Sequence, residues 1–157
     1  MSGKYCKTII GKEDNLKRIA TLALATLCSI VPPVYAGGNN NATAITKAKE
    51  SAQAWLTLTD TGNYASSWDH AAAYFKTAIA KPDWEKALKS VRSPLGTLKS
   101  RKLKSATFTK TLPGAPDGEY VVIQCVTQFE QKKGSIETVT PMHEKDGAWK
   151  VSGYYIK

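Results

Sequence analysis

Metal ligands are scarce in this sequence. It holds two histidines, His70 and His143, and three cysteines, of which Cys6 and Cys28 fall within the first 36 residues. Zinc and other transition metals need three or four clustered His, Cys or carboxylate ligands, so no metal centre is expected and no cofactor is implied. Beyond residue 36 only Cys125 remains, which leaves no partner for an intramolecular disulfide and makes packing the source of stability. No Gly-x-Ser-x-Gly elbow occurs, which removes a common signature of the serine hydrolases. Long apolar runs are missing too. The stretch Ile19 to Val31 stops at Pro32-Pro33, short of the roughly 20 residues a spanning helix requires.

What that stretch does resemble is an export signal. A basic opening (Lys4, Lys7, Lys12, Lys17, Arg18) precedes the short apolar run, and Val34-Tyr35-Ala36 supplies the small residues of a cleavage site. Cutting after Ala36 leaves 121 of the 157 residues, enough for one modest core. Leu27 before Cys28 is too large for a lipid-attachment site. The expected product is an exported protein, periplasmic or secreted, with no transmembrane segment after cleavage. Residues 37–41 (Gly-Gly-Asn-Asn-Asn) read as a flexible start, and 42–157 as a single domain.

Acidic residues are outnumbered, 13 against 22 basic, for a formal charge of +9. The leader carries five of those cations and two of the anions, so about +6 stays with the rest, enough to attract anionic partners at long range. The lysines are scattered rather than gathered into the clustered patch that nucleic acid demands. The tightest group, Lys99, Arg101, Lys102 and Lys104, alternates like the solvated face of a strand.

Hydrophobic periodicity divides the domain in two. Ala44, Ala48, Ala52, Trp55 and Leu58 recur at helical spacing over residues 42–60, and Gly62-Asn63 ends that helix. A further helical turn is expected at 64–68, another helix at 71–80, and one at 83–91 presenting Trp84, Ala87, Leu88 and Val91. After Ser93-Pro-Leu-Gly96 the period falls to two. Strands are expected at 98–111, 120–130, 135–144 and 148–156, with Val121, Ile123, Cys125, Thr127 and Phe129 facing one way. Their short, Gly-bearing connections require antiparallel neighbours, hence a meander. The fold class is therefore α+β, with N-terminal helices packed on one face of a curved four-stranded antiparallel sheet.

Ala54-Trp55-Leu56, Asp60, Tyr64, Ser67-Trp68, Phe75, Trp84, Arg92, Pro94-Leu95-Gly96 and Ser100-Arg101 resemble the helical half of a bacterial family, the domain of unknown function 4019. Leu112-Pro-Gly-Ala-Pro-Asp-Gly-Glu-Tyr120, Phe129, Glu137-Thr138-Val139, Asp146-Gly147, Trp149 and Gly153-Tyr154 are similar to its strand half. The resemblance implies export, no assigned activity, and a cone of the cystatin-like or nuclear-transport-factor-two-like kind. Such a cone hosts isomerases, dehydratases, inhibitors and adaptors, so the fold assigns no function.

Two arrangements suit the polar residues set among the aromatics. In one, Asp60 is a base raised in pKa by desolvation, with Tyr64 or Tyr154 donating a hydrogen bond, as in a small cofactor-free lyase or isomerase. In the other, Asp60 ends a helix while Arg92 and Arg101 bind carboxylates such as Glu119 or Glu137 as structural pairs. The candidate binding set is then Trp55, Trp68, Arg92, Arg101, Glu119 and Glu137, in a noncatalytic module of the cell envelope that takes a small molecule or an envelope protein. An outer stripe of Tyr120, Val122 and Val126 would suit a homodimer contact. The Pro- and Gly-rich loop 112–118 is a candidate docking element, whereas the charged hairpin tips Lys132, Lys133, Lys145 and Asp146 do not suit a cystatin-type inhibitory wedge. Cys125, mid-strand on the apolar face, reads as a small hydrophobe.

Overall fold

A computed structural model describes residues 37–157, and the expected export signal lies outside the described residues. The order of elements is α1 (Gly37–Asp60), α2 (Tyr64–Asp69), α3 (Ala73–Ala78), α4 (Lys81–Arg92), a 3-10 turn (Ser93–Leu95), then β1 (Leu98–Thr109), β2 (Tyr120–Phe129), β3 (Ser135–His143) and β4 (Trp149–Ile156). Among the described residues no helix is long and apolar enough to cross a membrane.

α1 begins at Gly37, so residues 37–41, expected as an irregular lead-in, are its first turn. Extending a helix already nucleated is cheap, and the first N–H groups of any helix lack intrahelical partners in any case. Its buried stripe is Ala48, Ala52, Trp55, Leu56 and Thr59, rotated slightly from the expected one, with Ala44 and Leu58 at its margins. Gly62, at φ 78°, reverses the chain after Asp60, a left-handed conformation that glycine adopts without a Cβ clash.

α4 starts with Pro82 in its first turn, where the missing N–H costs nothing. It buries Trp84, Leu88 and Arg92, at strict four-residue spacing, and leaves Val91 47% exposed. Val91 is therefore not the core residue that hydrophobicity alone predicts. One helical step separates it from Arg92, about 100° around the axis, and only one of the two can face inward. Gly96, at φ 74°, turns the chain into the sheet, where an added Cβ would sit 3.0 Å from that of Glu130.

The sheet is an open antiparallel meander in the order β1-β2-β3-β4, as the sequence predicts. Register shifts interrupt β1 at Leu98/Ser100 and Leu103/Ser105, and the β3–β4 pair at Thr140/Pro141. Bulges of this sort bend a strand and increase its local twist. Val121, Ile123, Cys125, Thr127 and Phe129 are all buried on one face of β2, beside Glu137 and Val139 of β3 and Val151 of β4. α1 touches all four strands of that face, and the helices share one core with it. Arg101 pairs in register with Thr127, so it faces inward rather than joining Lys102 and Lys104 in solvent.

Tyr120 does not contribute to an outer stripe. Loop 110–119 folds over its ring, its hydroxyl donates to the Pro116 carbonyl at 2.6 Å, and the residue is fully buried. The same loop is held to α3 by the Tyr74 hydroxyl, which donates to the Gly114 carbonyl at 2.8 Å.

Candidate functional site

Six elements converge on one charged cluster. Asp60 is the last residue of α1 and Arg92 the last of α4, while Arg101, Thr127, Glu137 and Tyr154 come from β1, β2, β3 and β4 in turn. An aspartate at a helix C-terminus meets the negative end of the helix dipole, so its position calls for a cation, and Arg92 at the end of α4 is placed where a cation is favoured.

Asp60 Oδ1 accepts from Arg92 Nη2 at 2.6 Å, and its two oxygens accept a fork from Arg101 Nη1 and Nη2 at 2.8 and 2.9 Å. Glu137, 1% exposed, is more fully enclosed. Its Oε2 accepts from Arg101 Nε at 2.5 Å and from the Thr127 hydroxyl at 2.9 Å. Its Oε1 accepts from the Tyr154 hydroxyl at 2.5 Å and from Arg101 Nη2 at 3.1 Å. Arg92 also lies 4.7 Å over the Phe129 ring, a favourable cation–π placement. Two guanidinium groups thus balance two carboxylates, and the bidentate geometry fixes their orientation.

Burial works against the charge on Arg101, but its hydrogen bonds to Asp60 and Glu137 outweigh that and hold its pKa above the ordinary arginine value. Burial also pushes the Tyr154 hydroxyl well above its ordinary value, and the neighbouring Glu137 charge pushes the same way. The sign of the resulting pH dependence follows. An unfolded tyrosine ionises near pH 10 while folded Tyr154 stays protonated, so its contribution is intact below about pH 10 and is lost as pH rises beyond it. In urea titrations the protein is expected to lose about 1.4 kcal/mol more per pH unit above pH 10 than Tyr154→Phe does. Parallel slopes for the two proteins would contradict the assignment.

The cluster gathers Asp60, Arg92, Arg101, Glu137 and Tyr154 from the sequence-nominated set, and Trp55 borders it with its ring centroid 5.2 Å from that of Tyr154. The other three stand elsewhere. Tyr64 packs against the core and makes no hydrogen bond to Asp60. Trp68 donates through Nε1 to the Ile79 carbonyl at 2.8 Å and carries Lys76 over its ring. Glu119 bonds His143 Nδ1 at 2.9 Å, near the surface. Thr127 and Phe129 belong to the cluster without having been nominated, although a threonine in an otherwise apolar alternation is a legible hint. Ser135 Oγ, buried opposite Thr127, has no hydrogen-bond partner among the described residues.

Beside the cluster an open groove of about 280 Å³ runs between α1 and β1. Leu103, Ile123, Cys125 and Val139 form its apolar floor, and Leu56 forms a wall from α1. Lys49, Gln53 and the edge of Arg101 supply its polar groups. Burial, and next the Glu137 charge, push the Cys125 thiol above its ordinary pKa, so it sits there as a neutral, weakly polar surface rather than a nucleophile. Neither Lys49, Gln53 nor Leu103 was singled out by the sequence, but a lone leucine inside the basic run 99–104 was the available signal.

Among the described residues no group of three or more His, Cys, Asp or Glu side chains is placed to hold a metal ion. Both Asp60 oxygens accept from guanidinium groups, and the Tyr154 hydroxyl donates to Glu137. No curated protein and no solved structure matches the chain. The family model described as a protein of unknown function, DUF4019, matches residues 51–154, a stretch that contains every member of the charged cluster, and the chain belongs to that family.

Proposed function

We propose that the chain is an exported, noncatalytic module of the cell envelope that binds a small molecule. The observation that carries the reading is the pairing of Asp60 and Glu137 with Arg92 and Arg101 beside an open, apolar-floored groove. A base able to take a proton from carbon needs a free lone pair aimed into a cavity; Glu137 spends its own on guanidinium, hydroxyl and phenol donors, and Asp60, held by three guanidinium hydrogen bonds, does not line the groove. The groove lies just below the common size of small-molecule sites, which begins at about 300 Å³, and has the usual make-up of an apolar lining with a few polar groups. Export rests on the basic, apolar and small-residue order of the first 36 residues.

The test is to express the full precursor, fractionate the cells, and examine the recovered protein by native and denaturing mass spectrometry. The expected result is a chain in the envelope or medium that starts at Gly37 and carries a small molecule lost on denaturation. An uncleaved chain confined to the cytoplasm would overturn the export reading, and a chain that carries no small molecule would count against the binding reading.

A further inference from the structure

We propose that the groove between α1 and β1 takes a small amphipathic monocarboxylate, its apolar body on Leu103, Ile123 and Val139 and its carboxylate at Lys49 and Arg101. The proposal rests on the ligand-binding reading above and adds the class of ligand.

Three observations point to that occupant. First, Leu103 is an inward-facing residue, in register with buried Cys125, and is nevertheless 50% exposed. α1 leaves it uncovered, so apolar surface on the core side of the sheet faces the groove, where covering it is favourable. Second, the groove's charged groups are of one sign. Lys49 and Arg101 line it, no acidic side chain does, and Lys49 makes no ion pair among the described residues. Third, Arg101 commits four of its five N–H groups to Asp60 and Glu137, leaving one Nη1–H for a further acceptor. Because the cluster behind it is balanced in charge, an anion arriving there meets Lys49 without an opposing net negative field.

A second hollow, of about 500 Å³ beside Trp149, is larger but lacks this asymmetry. Its Asp69 is paired with Lys81, and its Lys150 with Glu144 and Asp146, so no charge there awaits a ligand.

The test uses three ten-carbon probes, decanoate, decanol and decylammonium, titrated calorimetrically into the protein as recovered from the cell. Decanoate is expected to bind about fivefold more tightly than decanol, and decylammonium more weakly than either, as one gained or lost ion pair dictates. Lys49→Gln should weaken decanoate about fivefold and Leu103→Glu about tenfold or more, since the second places a carboxylate where the ligand's body lies. Both positions are exposed, so circular dichroism should match that of the parent. Bound decanoate should also shift the methyl resonances of Ile123 and Val139, which report occupancy of the floor. Groove binding with no preference for decanoate, seen as those methyl shifts and sensitivity to Leu103→Glu, would overturn the ligand class and leave the module reading standing. Binding indifferent to both variants and silent at those methyl groups would place the site elsewhere and overturn the proposal. If no probe binds and no molecule accompanies the purified protein, the ligand class and the module reading fall together.

Discussion

Glu137→Ala is expected to lower the free energy of unfolding by about 3–5 kcal/mol, the loss seen when one partner of a buried ion pair is removed. The carboxylate is 1% exposed and receives hydrogen bonds from Arg101, Tyr154 and Thr127, with Arg92 at 3.5 Å. Without it two guanidinium groups face only Asp60, and a buried hydroxyl and phenol lose their acceptor. Against the total of about 5–15 kcal/mol typical of a domain, that is a large fraction. Glu50→Ala is the control, because Glu50 is exposed on α1 and makes no ion pair among the described residues. Urea unfolding of the three proteins decides the matter. A loss below about 1 kcal/mol for Glu137→Ala would mean that water reaches the cluster and that its charges are not held by one another.

The division of the chain at Gly96 was legible because hydrophobic period changes there from helical to alternating, and each strand begins and ends within two residues of its expected bounds. What periodicity could not reveal was which charged residues turn inward. Val91 and Arg92 are neighbours on α4, and apolarity favours the first. The structure buries the second because Asp60 and Glu137, 32 and 45 residues away in sequence, wait for it. Trp84, Leu88 and Arg92 keep a strict four-residue step, so the stripe could be found once a charge was allowed to belong to it.

Arg101 carries two readings in the sequence, a solvated cation among Lys99, Lys102 and Lys104 and a partner for a carboxylate such as Glu137. Periodicity does not choose between them, and the register of β1 against β2 puts the residue opposite Thr127 on the core face. The Asp60–Tyr64 pairing failed for a local reason, the reversal at Gly62 between them. After that turn Tyr64 opens a new helix and packs on the core, while Asp60 stays with the arginines. Tyr120 shows the same limit in a loop. Strand alternation sends it outward, and the folded-back Pro116 carbonyl and Gly118 enclose it.

Trp84→Ala is expected to cost about 3–5 kcal/mol, the range for deleting a buried large aromatic side chain. The indole is 7% exposed and joins three parts of the helical layer to the sheet. It meets Phe75 edge-on at 4.9 Å, lies 5.9 Å from Trp55, and stands 6.4 Å from Tyr154 of β4. Its Nε1 donates to Ser67 Oγ at 2.9 Å, so truncation removes a buried hydrogen bond as well as volume. Trp84→Phe keeps most of the ring contact and loses that bond, and should cost about 1–2 kcal/mol. Tyr154 touches both the indole and Glu137, so the aromatic layer and the charged cluster share a side chain. Contacting networks of this sort are not additive, and the double variant Trp84→Ala/Glu137→Ala should depart from the sum of the single losses by about 0.5–3 kcal/mol. Additivity within about 0.5 kcal/mol would mean that the indole positions α4 without fixing Tyr154, and that the cluster keeps its geometry through Asp60 and the arginines alone.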